Sequence, residues 1–147
     1  MCARPSAQRD RVPSAVTDAL EATYAFTKLV VRDLDAMTRY YGKVYGLAPI
    51  QRVTAEIAGS PIEEIILGRD GSYGGLILLH WVDQPAPARG ELILGFTTPD
   101  IAALFARAES AGGAVRKAPE PSEEAGGLVG GFVEDPEGHL AEVVEQQ

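Results

Sequence analysis

A helix start and a helix stop occur twice in this chain at one spacing. Asp33-Leu34 is answered by Asp100-Ile101, and Gly46 by Gly113, each pair 67 residues apart. An aspartate ahead of an apolar-periodic stretch caps the free first-turn amides, and glycine ends a helix where the backbone turns left-handed. Between these signals Leu34, Met37, Tyr41 and Val44, then Ile101, Leu104, Phe105 and Ala108, recur at helical spacing. A strand-like stretch precedes each helix, over residues 24–31 and 91–96. Three more follow each one: 47–54, 61–67 and 76–81 in the first half, 114–117, 128–133 and 140–144 in the second. This tandem repeat predicts an α+β protein of two βαβββ units. Each helix covers one face of its sheet, and the opposite face needs another cover. Two such sheets facing each other would enclose a cup between them.

The repeat also sets expected boundaries. Residues 1–22 form an N-terminal extension broken by Pro5 and Pro13. Residues 23–83 are the first unit, 84–90 a linker carrying Pro85 and Pro87, and 91–147 the second unit. Two prolines in so short a span keep the linker extended and stop a strand from running through it.

Charge narrows the partners. The chain is 46% hydrophobic, enough to fill a core, and its net charge is -8. No Lys or Arg follows Lys117, whereas Glu120, Glu123, Glu124, Glu134, Asp135, Glu137, Glu142 and Glu145 all do. Such a surface repels nucleic acid and acidic membranes. Cys2 is the only cysteine, so no intrachain disulfide forms. No apolar run reaches membrane-spanning length, and residues 1–11 carry Arg4, Arg9 and Arg11 without an apolar stretch. These features predict a cytoplasmic protein.

The chemistry concentrates in the closing hairpin, Phe132-Val133-Glu134-Asp135-Pro136-Glu137-Gly138-His139-Leu140-Ala141-Glu142-Val143-Val144. Asp135, Pro136 and Gly138 suit a tight turn. Past it, Leu140, Glu142 and Val144 share one strand face, and Ala141 and Val143 the other. Glu142 therefore stands either on a solvated rim or on a cavity wall. His139 alternates away from it and is expected at the surface. No G-x-G-x-x-G follows a strand into a helix, so the glycine pairs form no phosphate loop.

The repeat, the Pro-rich middle and the Asp-Pro-Glu-Gly-His-Leu-Ala-Glu stretch together resemble the vicinal oxygen chelate superfamily, which contains glyoxalase I, extradiol dioxygenases and bleomycin-resistance proteins. The resemblance spans Tyr24 to Glu145. It implies a cup of paired βαβββ units, a homodimer, and in the metalloenzymes a divalent metal held by His, Gln or Glu from the first and last strand of each unit. Carried over, those positions fall on Phe26, Leu78, Ile93 and Glu142. Three of these side chains offer a metal no lone pair. The resemblance with these residues implies a cup that has lost its metal and gained an apolar lining.

The expected function is binding of a small, partly apolar organic molecule. Phe26, Lys28, Leu78, Ile93 and Glu142 are its contacts, and no cofactor is needed. The outcome is sequestration or metal-independent proton transfer. Glu142 and His80 are the candidate catalytic groups, since a carboxylate enclosed among carbon atoms suits general acid or base work. Lys28 would meet an anionic group in the cup or snorkel to its rim. The alternative is a metal-dependent lyase, isomerase or dioxygenase in which Glu91, His80 and Glu142 form a shifted ligand set. A third reading is a fold kept for contact with a partner chain. Tyr40, Tyr41 and Tyr45 are expected to pack the helix on its sheet, and Trp81 to lie in the core or a dimer contact. The acidic stretch 119–127 reads as a loop that exposure alone explains or that acts as a lid.

Overall fold

Thr27–Val30 pairs along an edge of its sheet before the chain turns at Asp33 into the first helix. The computed structural model describes residues 24–86, 90, 92–123 and 126–146. The N-terminal extension, Glu91 and most of the second half of the linker lie outside the described residues. In chain order the elements are β1 (Thr27–Val30), α1 (Leu34–Tyr45), β2 (Ala48–Ile57), β3 (Ser60–Arg69), β4 (Ser72–Trp81), β5 (Ile93–Thr98), α2 (Ile101–Ser110), β6 (Ala114–Ser122), β7 (Leu128–Glu134) and β8 (Leu140–Glu145). They form two four-stranded sheets, ordered β1-β4-β3-β2 and β5-β8-β7-β6. In each sheet the first strand runs parallel to the fourth, and the other pairings are antiparallel. This is the α+β fold of two βαβββ units that the repeat predicts.

The helix caps form as expected. Asp33 accepts from the Ala36 amide at 2.8 Å, and Asp100 from the Ala103 amide at 2.9 Å. Gly46 closes α1 at φ 69°, the left-handed conformation that glycine adopts without steric cost. The second stop differs in detail. Ala111 is the cap residue of α2, Gly112 takes the positive φ, and Gly113 lies against the Tyr40 hydroxyl, where a Cβ would crowd it at 2.6 Å.

Several strands outrun the sequence expectation. β4 begins at Ser72, four residues before the strand expected over 76–81. β6 continues through Pro119 and Pro121 to Ser122, so the first four residues of the expected acidic loop are strand. Proline is tolerated there because β6 is an edge strand, and its pairing with β7 shifts register between Lys117 and Glu120.

One apolar core joins the two units. Leu29, Met37, Tyr41, Val44, Ile65, Leu67, Leu76 and Leu78 from the first unit share it with Leu104, Phe105, Ala108, Val133, Ala141 and Val143 from the second. Tyr40, Tyr41 and Tyr45 are buried in it, and Tyr45 stacks on Phe96 with ring centroids 3.7 Å apart. The stacking adds about 0.5–1.5 kcal/mol beyond the area it buries.

Leu78 corrects the sequence expectation. It is fully buried, at 0% exposure, and points into this helix-side core instead of the opposite face. Leu76, Ile77, Leu78 and Leu79 are all apolar and all nearly buried, so no polar–apolar alternation marks which residues face the helix.

The turn at Asp135 fastens the second unit to the first. Asp135 is buried and accepts from the Tyr41 hydroxyl at 3.0 Å, from the amides of Glu137 and His139 at 2.9 Å each, and from His139 Nδ1 at 2.7 Å. His139 Nε2 lies 3.1 Å from the Val30 carbonyl oxygen. The Glu137 carboxylate accepts from the amides of Arg32 and Asp33. Burial foremost, then the charge of Asp135, holds the Tyr41 hydroxyl well above its ordinary pKa, so it stays a donor. His139 is therefore not a surface residue: its side chain is 14% exposed. The aspartate four residues before it was the signal that could have shown this.

Both ring nitrogens of His139 face acceptors, and only the imidazolium donates from both. The bond to Asp135 chiefly raises its pKa, against the opposing effect of burial, and the charges of Asp135 and Glu137 add to the rise. A raised folded value stabilises the fold fully below the unfolded value of about 6.5, and that contribution is lost as pH climbs through the folded value. The Tm difference between the native protein and His139→Gln should therefore be largest in mildly acidic buffer and shrink as pH rises. A pH-independent difference would show that the ring is held neutral.

Candidate functional site

Strand register divides each sheet into a face that carries α1 or α2 and a face that, among the described residues, carries no helix, the helix-free face. In the first sheet Lys28 pairs with Ile77, Val30 with Leu79, Ile66 with Ile77, Glu64 with Leu79 and Ile62 with Trp81. These residues alternate with the helix-side residues Leu29, Leu76 and Leu78, so they make up the helix-free face. In the second sheet Ile93 pairs with Leu140, Gly95 with Glu142 and Phe132 with Glu142. Leu94, Phe96, Ala141 and Val143 pack on the helix side, which leaves Ile93, Leu140, Glu142 and Phe132 on the helix-free face.

The two helix-free faces differ in chemistry. On the first, Ile62, Ile77 and Leu79 are buried outside the helix-side core. Lys28 Nζ reaches Glu64 Oε2 at 2.7 Å and lies 5.8 Å from the centre of the Phe26 ring. Lys28 thus meets an anionic group, as one of its two expected readings has it, but the anion is the protein's own. On the second face Glu142 is exposed. It borders a hollow of about 390 Å³ lined by Phe132, Lys117, Glu120 and Glu123. Lys117 and Glu120 pair at 2.8 Å across this rim.

Of the expected contacts, Phe26, Lys28, Ile93 and Glu142 stand at helix-free faces, and Leu78 does not. Phe26 remains 47% exposed and Ile93 55% exposed. His80 follows Leu78 to the helix-bearing side. It pairs with Glu63, and its Nδ1 lies 3.2 Å from the Val31 carbonyl oxygen. His80 and Glu142 therefore belong to different sheets, and His80 stands on the wrong side of its own. Trp81, opposite His80, lines a hollow of about 360 Å³ with it and Pro85.

Among the described residues the donor set does not fit a metal, and Glu91 of the shifted set lies outside them. Lys28 and Gly95 are equivalent across the repeat, and their parallel partners are Ile77 and Glu142. Topology thus matches Glu142 to Ile77, not Leu78, and the four central positions are Phe26, Ile77, Ile93 and Glu142. Three of them have no lone pair to donate. Both histidines are turned to backbone carbonyls, and no group of three His, Cys, Asp or Glu among the described residues could hold an ion.

Comparison with known proteins agrees with this topology. A family model described as Glyoxalase/Bleomycin resistance protein/Dioxygenase superfamily matches residues 23–143. The chain belongs to this superfamily. Among solved structures, a glyoxalase family protein from Bacillus cereus superposes with a TM-score of 0.75 at 17% identity, covering 88% of this chain and 98% of that one. A glyoxalase-related enzyme from Fulvimarina pelagi gives 0.61 at 24% identity, covering 86% and 89%. Glyoxalase I from Zea mays gives 0.62 at 20% identity, covering 84% of this chain and 44% of the maize protein. At these identities the superpositions establish the fold alone. No curated protein matches the sequence. No helix among the described residues is long and apolar enough to cross a membrane.

Proposed function

We propose that this superfamily member binds a small, partly apolar organic molecule on its helix-free sheet faces, without a metal. The supporting observation is the set at the four matched positions: Phe26, Ile77 and Ile93 are carbon, of which Phe26 and Ile93 are exposed and Ile77 is buried, and Glu142 offers an exposed carboxylate. Apolar contact supplies the affinity, and one polar group fixes the orientation. Phe26 and Ile93 meet the apolar body, and Glu142 accepts from a hydroxyl or amine of the ligand. A second copy of the chain covers the exposed Phe26, Ile93 and Glu142, so the working form is a homodimer. The outcome is sequestration, or proton transfer at Glu142 alone, since His80 does not stand with it.

A thermal-shift screen of aromatic and quinone-like compounds tests this reading. A binder should raise the Tm. Phe26→Asp should abolish the shift, and Glu142→Gln should weaken binding about tenfold, the loss of one hydrogen bond to a charged group. Elemental analysis of the purified protein is the companion measurement. Stoichiometric metal, with a large Tm rise on adding nickel, zinc, manganese or iron, would overturn the metal-free reading in favour of a metal-dependent lyase, isomerase or dioxygenase.

A further inference from the structure

A further hollow bordered by basic residues lies away from Glu142, where the end of α1 meets β5 and the start of α2. It encloses about 640 Å³ and is bordered by Lys43, Tyr45, Arg69, Phe96, Leu104 and Arg107. Three basic residues therefore border one cavity in a chain whose net charge is -8, and Lys43 and Arg107 also border a neighbouring hollow with Ala106 and Ser110.

The two arginines are held in place. Arg107 donates from Nε and Nη2 to the Val44 carbonyl oxygen at 3.3 and 3.2 Å. Arg69 donates from Nη2 to the Tyr45 carbonyl oxygen at 2.6 Å. Its guanidinium lies over Gly46, where an added Cβ would stand 3.3 Å from Nη2. These bonds satisfy carbonyls at the end of α1 and complement the negative end of its dipole. They leave most of the guanidinium N–H donors unused, since each guanidinium carries five.

Charge, however, is not balanced. Among the described residues none of Lys43, Arg69 and Arg107 forms an ion pair with a carboxylate. One carboxylate, Asp100, also borders the hollow and accepts from the Ala103 amide, which leaves three cations against one anion. Capping a helix end needs one cation, not three converging ones. Fixed guanidinium forks match the geometry of a carboxylate or phosphate, and fixing them beforehand lowers the entropy lost on binding. Val44, Phe96 and Leu104 add apolar wall beside them.

We propose that this hollow is a binding site for a small organic anion, its oxyanion held by Arg69 and Arg107 with Lys43 and its carbon body against Phe96 and Leu104. Arg107 and Phe96 come from the second unit, and Arg69 and Lys43 from the first. An occupant therefore bridges the two units. The site shares no named contact with the helix-free faces and stands or falls independently of the function proposed for them.

Titration of the isotope-labelled full chain with benzoate, followed by amide chemical shifts, tests the site; inorganic phosphate and chloride serve as comparison anions. Saturable shifts at Tyr45, Phe96 and Thr97 are expected with benzoate. Binding should weaken about tenfold or more in Arg107→Gln and in Arg69→Gln, as for a lost charge-assisted bond. Because those arginines also cap α1, Lys43→Glu is the variant whose folding is not in question, and it should weaken binding several-fold. Absence of saturable shifts, affinity unchanged in Lys43→Glu, or phosphate binding without benzoate binding would each overturn the proposal.

Discussion

Asp135→Ala is expected to cost about 3–5 kcal/mol, the range for removing one partner of a buried, hydrogen-bonded charge pair. Asp135 is 5% exposed and accepts from the Tyr41 hydroxyl, the His139 ring and two backbone amides. Truncation strands all four donors in a buried place at once. For a chain of this length the loss corresponds to a Tm drop of about 10 °C. It should also remove the pH dependence contributed by His139, because the carboxylate is the main cause of that histidine's raised pKa. Thermal melts of the native protein and the variant at two pH values check both parts. A variant melting within a degree or two of the native protein would mean that the turn merely rests against the first unit.

Leu78→Ala is expected to be comparably damaging, at about 2–5 kcal/mol, for a different reason. Leu78 is fully enclosed between its sheet and α1, and the deleted carbons leave a cavity that close-packed neighbours only partly fill. The same variant should bind any helix-free-face ligand as well as the native protein does, because its side chain points the other way. Phe26→Asp should do the reverse, sparing the Tm and losing the ligand. Denaturant melts paired with the binding assay separate the two. Loss of binding in folded Leu78→Ala would show that the face assignment is inverted.

The register error at Leu78 shows where sequence reading reaches its end. The helices were legible because their signals are local: an aspartate cap, an apolar stripe and a glycine stop act within a dozen residues. The repeat multiplied that evidence, and the closing turn added a motif specific enough to suggest the superfamily. Alternation along β8 put Glu142 on the face opposite Ala141 and Val143 and left rim or cavity wall open, and the match of the closing motif pointed it to the cup. Strand β4 offers no such contrast. Four apolar residues in a row read alike from either side, so Leu78 and Ile77 exchanged places and His80 was carried to the wrong side with them.

His139, Lys28 and the basic hollow depended on contacts between residues far apart in the chain. Val30 and Tyr41 reach the hairpin across about a hundred residues, and Glu64 reaches Lys28 across β4. Nothing near Arg69 in the chain announces that Arg107 ends beside the same helix terminus.

What the sequence determined by itself was the pair of βαβββ units, because backbone capping, side-chain periodicity and turn chemistry are properties of neighbouring residues. What only the tertiary structure decided was which side of β4 meets α1, which acid neutralises which base, and where three cations are left without one. Those outcomes depend on how the two units dock, and charge and burial act through space without regard to distance along the chain.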